Sequence, residues 1–108
     1  MNKYEQAEFF GLKNRLVKLC EECGELIQAC TKYYEAIDIC SSLVEEDEKF
    51  VKDKIEEELA DVYLLGAEVR YLLNIHGSDL EQRIDYKVDR TNGMIDMLKE
   101  DRLKNGKN

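Results

Sequence analysis

Apolar residues recur with a helical period along most of the chain. Leu12, Leu16, Leu19, Cys23, Leu26, Cys30, Tyr33 and Ile37 alternate spacings of four and three, the pattern of a packed helical seam. Val17, Cys20, Ile27 and Tyr34 widen that seam into a broad core face. After Phe50 the stripe resumes as Val51, Ile55, Leu59, Val62, Leu65, Val69 and Leu72, which predicts a helix starting around residues 46–52 and ending near 75. Leu80, Ile84, Val88, Thr91, Ile95 and Leu98 mark a third long helix.

The breaks between these stripes are equally legible. Residues 2–10 predict a short helix stopped at Gly11, with the adjacent Phe9 and Phe10 docking onto the body of the fold. Cys40-Ser41-Ser42 and the acidic run Glu45-Glu46-Asp47-Glu48 read as a solvated connection. His76-Gly77-Ser78 predicts a stop and a start: Gly77 as a left-handed C-cap, then Ser78 or Asp79 as N-cap with Glu81 completing a capping box. His76 then lies at the negative end of the preceding helix dipole. The chain is expected to form a single helical domain over 1–108, with an N-terminal arm (1–11) and a frayed tail (103–108).

The charges that break the pattern carry the chemistry. At about 100° per residue, Glu58 falls inside the stripe between Ile55 and Val62, and Asp61 sits at its edge. A carboxylate facing a core requires a cation, a donor or a metal. Removing the charge of Glu58 is therefore expected to leave the metal-free protein no less stable. On the preceding helix Glu22 lies at the margin of the apolar face, while Glu21 and Glu25 lie well away from it. Those two join Glu58 only if a further helix approaches their side. The third helix repeats the anomaly with opposite sign, with Lys87 in the stripe and Arg90 at its edge. They pair either with the carboxylates or with a bound phosphate, and the spacing leaves both readings open.

Composition narrows the class. The absence of proline, six glycines and 37% charged residues in 108 suit long amphipathic helices and argue against a β-rich fold. A net charge of −8 argues against binding a nucleic-acid polymer through the whole surface, so an anionic substrate needs a divalent metal or a local basic group. No apolar run has the roughly 18–20 residues of a membrane span, and the N-terminal residues lack the apolar core of a signal peptide. A cytoplasmic protein is expected. The four cysteines are expected to be buried small hydrophobes in a reducing compartment, since a zinc site needs further ligands and His76 is the single histidine.

Converging carboxylates repel one another unless a hard cation joins them, and all-oxygen ligation suits Mg²⁺ or Mn²⁺. A di-iron bundle requires Glu-x-x-His motifs, which the sequence lacks. At this point Glu21-Glu22-x-x-Glu25 on one helix, followed by Glu58-x-x-Asp61 on the next, resembles the signature of the MazG-like all-α nucleoside triphosphate pyrophosphohydrolases. The resemblance covers residues 12–95, with the segments Lys18–Ala29 and Glu57–Val62 matching the two motifs in their surroundings. It implies Mg²⁺-dependent cleavage between the α and β phosphates of a nucleoside triphosphate, giving the monophosphate and pyrophosphate. Glu22, Glu25, Glu58 and Asp61 match the metal-binding positions. Glu21 matches the first glutamate, which supports the metal ligands or the attacking water, and Glu22 joins it in the catalytic set. Lys87 and Arg90 resemble the basic residues that meet phosphates. Family members are dimers or tetramers, which implies a four-helix core completed by a second chain. The 32 residues between Glu25 and Glu58 are a longer gap than the family pattern, and the excess falls on the acidic connection. The rival expectations are a non-catalytic helical bundle that binds proteins, and a hydrolase directed at dUTP or dUDP.

Overall fold

The computed structural model describes residues 1–39 and 45–106, and among them the fold is all-helical. Four helices follow one another: α1 (Lys3–Phe10), α2 (Leu12–Ile39), α3 (Glu45–Leu72) and α4 (Gly77–Lys104). They fall into two units, Met1–Asn74 with α1 to α3 and Ile75–Asn108 with α4. Cys40, Ser41 and Ser42 of the expected connection lie outside the described residues. The acidic run, expected in the connection, lies in the first turn of α3.

Local chemistry sets the helix ends. Asn2 caps α1, its side-chain oxygen accepting from the backbone N–H groups of Tyr4 (3.0 Å) and Glu5 (2.9 Å). Gly11 takes a positive φ of 85° and ends the helix, its N–H donating to the Ala7 carbonyl at 2.9 Å. The second break differs from expectation. Asn74, at φ 54°, supplies the left-handed residue after α3, whereas Gly77 is already the first residue of α4. His76 takes the N-cap position in extended conformation without a side-chain cap bond, so its predicted place at a helix C-terminus is corrected. An asparagine tolerates the left-handed region well enough to relieve the glycine of that duty.

In the first unit α2 and α3 pack antiparallel. Arg15 meets Glu68, Glu22 meets Asp61, and Glu25 lies beside Glu58, so rising numbers on one helix face falling numbers on the other. The inner face of α2 is Arg15, Leu19, Glu22, Leu26, Ala29, Tyr33 and Ala36, all buried or half-buried. That is the four-and-three spacing expected of the seam, rotated by about one residue. Leu16, Cys30 and Ile37, assigned to the seam by the apolar pattern, are exposed, as are Val17, Cys20, Ile27 and Tyr34. The cysteines also correct the expectation of burial: Cys20 and Cys30 are exposed free thiols and Cys23 is half-buried. Buried apolar residues among those described are few: Ala7, Ala29, Leu65 and Val69.

α1 lies against the α2–α3 pair through Ala7, Tyr4 and Glu8. Ala7 is fully buried, the Tyr4 and Tyr71 rings lie 4.7 Å apart, and the Tyr71 hydroxyl donates to Glu8 Oε1 at 2.6 Å. Phe9 and Phe10, expected to dock, instead remain exposed, Phe9 at 72%, packed edge-to-face on each other. α4 is amphipathic in sequence yet carries no buried residue. None of the helices over the described residues is long and apolar enough to cross a membrane.

Candidate metal centre

Glu22, Glu58 and Asp61 present carboxylate oxygens that all lie within 4.8 Å of one another. Helix periodicity explains the convergence. Glu58 and Asp61 are one turn apart on the inner face of α3, and Glu22 occupies the opposing inner position of α2. Glu22 is 8% exposed and Glu58 only 2%. One oxygen of each, Oε2, is buried without a hydrogen-bond partner. A buried carboxylate oxygen lacking a donor is costly. Two such acids within a cluster of three form a donor set suited to a hard divalent cation. The residues present therefore fit Mg²⁺ or Mn²⁺.

The two buried acids respond differently to their surroundings. Burial pushes the Glu22 carboxyl above its ordinary range, and the neighbouring Glu25 and Asp61 charges push the same way. Lys18, 3.9 Å from Glu22, offsets part of this. Glu58 moves in the opposite direction, because its hydrogen bond with Lys54 outweighs its desolvation. The Lys54 ammonium lies 3.0 Å from Glu58 Oε1 and 3.8 Å from Glu57. Lys54 is pushed up in turn, first by that bond and then by the Glu57 and Glu58 charges.

The remaining site residues fall in distinct places. Glu25 is exposed and lies outside the cluster of three, lining a cleft beside Glu58 in the same chain. Glu21 is exposed and ion-paired with Lys18 at 3.4 Å, outside the cluster of three. Lys87 and Arg90 occupy exposed positions of α4, in the second unit.

Two features escaped the sequence reading. Lys54, the cation nearest the cluster, sits four residues before Glu58, and that spacing alone marked it as a helical neighbour. The second is a buried ion pair: Arg15 Nη1 donates to Glu68 Oε2 at 3.5 Å, with Glu68 fully buried and its Oε1 unpartnered. Arg15 also stacks on Phe10, its guanidinium carbon 4.3 Å from the ring centroid, and donates to Asn14.

Comparisons with protein-family models, with curated proteins and with solved structures returned no match.

Proposed function

We propose that the protein is a Mg²⁺-dependent nucleoside triphosphate pyrophosphohydrolase of the MazG-like kind, with Mn²⁺ as an alternative metal. The observation that carries this reading is the set of three inward carboxylates, two with a buried oxygen lacking any donor. Glu22, Glu58 and Asp61 would hold the metal, with Glu25 beside them on the cleft side. Such an ion, when bound, supplies charge to neutralise phosphoryl oxygens and lowers the pKa of a water held on it. The acids contribute geometry. Glu58 and Asp61 would hold the metal from α3 and Glu22 from α2. Glu21, held by Lys18, is placed one residue from Glu22, where it can orient a water at the outer edge. In this reading Lys87 and Arg90 contact phosphate.

The reading includes a homodimer or homotetramer whose shared core is a four-helix bundle. Its support is the exposed apolar set Val17, Ile27 and Tyr34 on α2, joined to a first unit with few buried apolar residues. It also includes a cytoplasmic location, where thiols such as Cys20 and Cys30 stay reduced.

The test is pyrophosphate release from a panel of nucleoside triphosphates with Mg²⁺. Release of pyrophosphate without orthophosphate supports the reading. It should fall by about a hundredfold or more in Glu58→Gln, if the metal positions the attacking water. Turnover at the parental rate in that variant overturns it. A chain that gains no thermal stability from millimolar Mg²⁺ or Mn²⁺ favours the non-catalytic bundle instead, because a ligand bound only by the native state raises its melting temperature.

A further inference from the structure

Beside the metal centre, between α2 and α3, lies a cleft of about 220 Å³ lined by Glu25, Gln28, Ala29, Lys32, Lys54 and Glu58. Its lining is ordered by charge. Along α2 the chain runs from Glu22 through Glu25 and Gln28 to Lys32; along α3, read backwards, it runs from Asp61 through Glu58 to Lys54. The antiparallel packing makes these two series coincide. The lining of the cleft thus carries Glu25 and Glu58 towards the metal centre and Lys32 and Lys54 one to two turns further on. Ala29, 6% exposed, contributes little bulk where the cleft is lined from α2.

We propose that this cleft seats the terminal phosphates of a polyphosphate ligand, held by Lys32 and Lys54 from opposite helices while the ligand's other phosphate oxygens reach the metal centre. The inference rests on the metal-centre reading above and deepens it by naming the side chains that hold the terminal phosphates. Neither lysine belongs to the basic pair that the sequence had marked for phosphate.

The position of Lys54 gives the site a second property. A 98%-buried Glu58 needs a counter-charge, and in the described structure the Lys54 ammonium supplies it at 3.0 Å. A divalent cation held by Glu22, Glu58 and Asp61 would supply that counter-charge instead. The Lys54 ammonium, on a flexible stem rooted in the same cleft and otherwise 3.8 Å from the exposed Glu57, would then be free to meet a phosphate oxygen. Metal binding and phosphate binding are linked through one side chain: Lys54 competes with the metal and cooperates with the polyanion. Lys32 has only the second role.

The experiment is calorimetric titration of the full chain with Mn²⁺ alone, and with inorganic tripolyphosphate in excess Mg²⁺, orthophosphate serving as the short-chain comparison. The parent should bind tripolyphosphate and bind orthophosphate far more weakly. Lys32→Met and Lys54→Met should each weaken tripolyphosphate by about tenfold or more, the worth of one charge-assisted hydrogen bond. Lys54→Met should bind Mn²⁺ alone at least as tightly as the parent, and Lys54→Arg should recover most of the polyanion affinity. Lys52→Met, an exposed lysine on the same helix that does not line the cleft, should behave as the parent. Lys32→Met, which leaves the Glu58 pair intact, guards against a folding defect in Lys54→Met.

Parental tripolyphosphate affinity in both lysine variants overturns the proposal, as does a parent that binds Mn²⁺ but no tripolyphosphate. That second result leaves the metal centre standing. Conversely, lysine-dependent tripolyphosphate binding without pyrophosphate release from any nucleoside triphosphate keeps this cleft and removes the hydrolase reading. A parent that binds neither ligand removes both.

Discussion

Glu22 and Glu58 are the two buried acids of the centre, yet burial leaves them in opposite states. Glu58 has an ammonium at 3.0 Å, and its carboxyl is held below the ordinary range. Glu22 has a lysine only at 3.9 Å, and burial, joined by the Glu25 and Asp61 charges, pushes its carboxyl up. An i to i+4 lysine, which an apolar stripe does not reveal, gives Glu58 the closer counter-charge of the two acids. Stability should follow these signs. A depressed Glu58 contributes stability above the ordinary carboxylate range and loses it as pH falls through the folded-state value. A raised Glu22 favours the fold at low pH, and that contribution is lost as pH rises through its folded-state value. In metal-free protein, Glu22→Gln should therefore melt several degrees higher near neutral pH, with the gain shrinking towards acid pH. Glu58→Gln should melt lower near neutral pH and converge with the parent in acid. Thermal melts of both variants across pH in chelator check this. Equal shifts of the same sign would show that the Lys54 contact does not set the balance. Both variants should lose Mg²⁺-dependent stabilisation.

A second residue-scale prediction concerns Arg15 and Glu68. Removing one partner of a buried pair leaves an uncompensated charge, and Arg15→Met should destabilise the fold by about 3 kcal/mol, whereas replacing both with apolar residues costs far less. Urea denaturation of the two single variants and the double variant gives the coupling directly.

The elements explain why some of this was legible in the sequence and some was not. Helix number and type, the Gly11 break and the inward turn of Glu58 follow from apolar period and local capping, which act within a few residues. The rotated face of α2 does not, because an apolar count omits inner positions filled by charge. Arg15 and Glu22 occupy the same alternating spacing as Leu19, Leu26 and Ala29, so counting hydrophobes alone slid the seam towards Leu16 and Cys30. Glu68 escaped for the same reason, though it continues the three-and-four progression of Glu58, Asp61 and Leu65. The docking of α1 was misassigned to its largest apolar residues, when a small one, Ala7, allows the close approach and Tyr71 supplies the bond. That bond predicts a test at this scale. Glu8 holds the Tyr71 proton and raises its pKa, so the contact persists through neutral pH and is lost as pH rises through the raised value. Tyr71→Phe should speed hydrogen exchange at the Gly11 amide, which bonds Ala7, by about three- to tenfold. Exchange in the middle of α2 should stay at the parental rate. Equal acceleration in both helices would mean that Tyr71 supports the whole unit rather than the seat of α1.

At the scale of the whole molecule the question is what covers the apolar surface. The first unit joins α2 and α3 along a seam whose inner residues include three buried acids and an arginine, and its buried apolar residues among those described are Ala7, Ala29, Leu65 and Val69. Val17, Ile27 and Tyr34 are each more than half exposed on α2. On α4 Ile84, Val88 and Leu98 are likewise more than half exposed, along the stripe that the sequence assigns to a core. Exposed apolar surface of this kind is where a partner can dock. If the partner is a second copy, the chain should sediment as a dimer or tetramer at micromolar concentration. Its melting temperature should then rise with protein concentration, because association stabilises only the folded state. Ile27→Glu should shift the species towards monomer and remove that concentration dependence. Glu56→Gln, which changes an exposed charge on α3, should do neither. A parent that stays monomeric with a concentration-independent melt would exclude the shared four-helix core. The metal-binding acids would then have to act within one chain, which their present convergence from α2 and α3 allows.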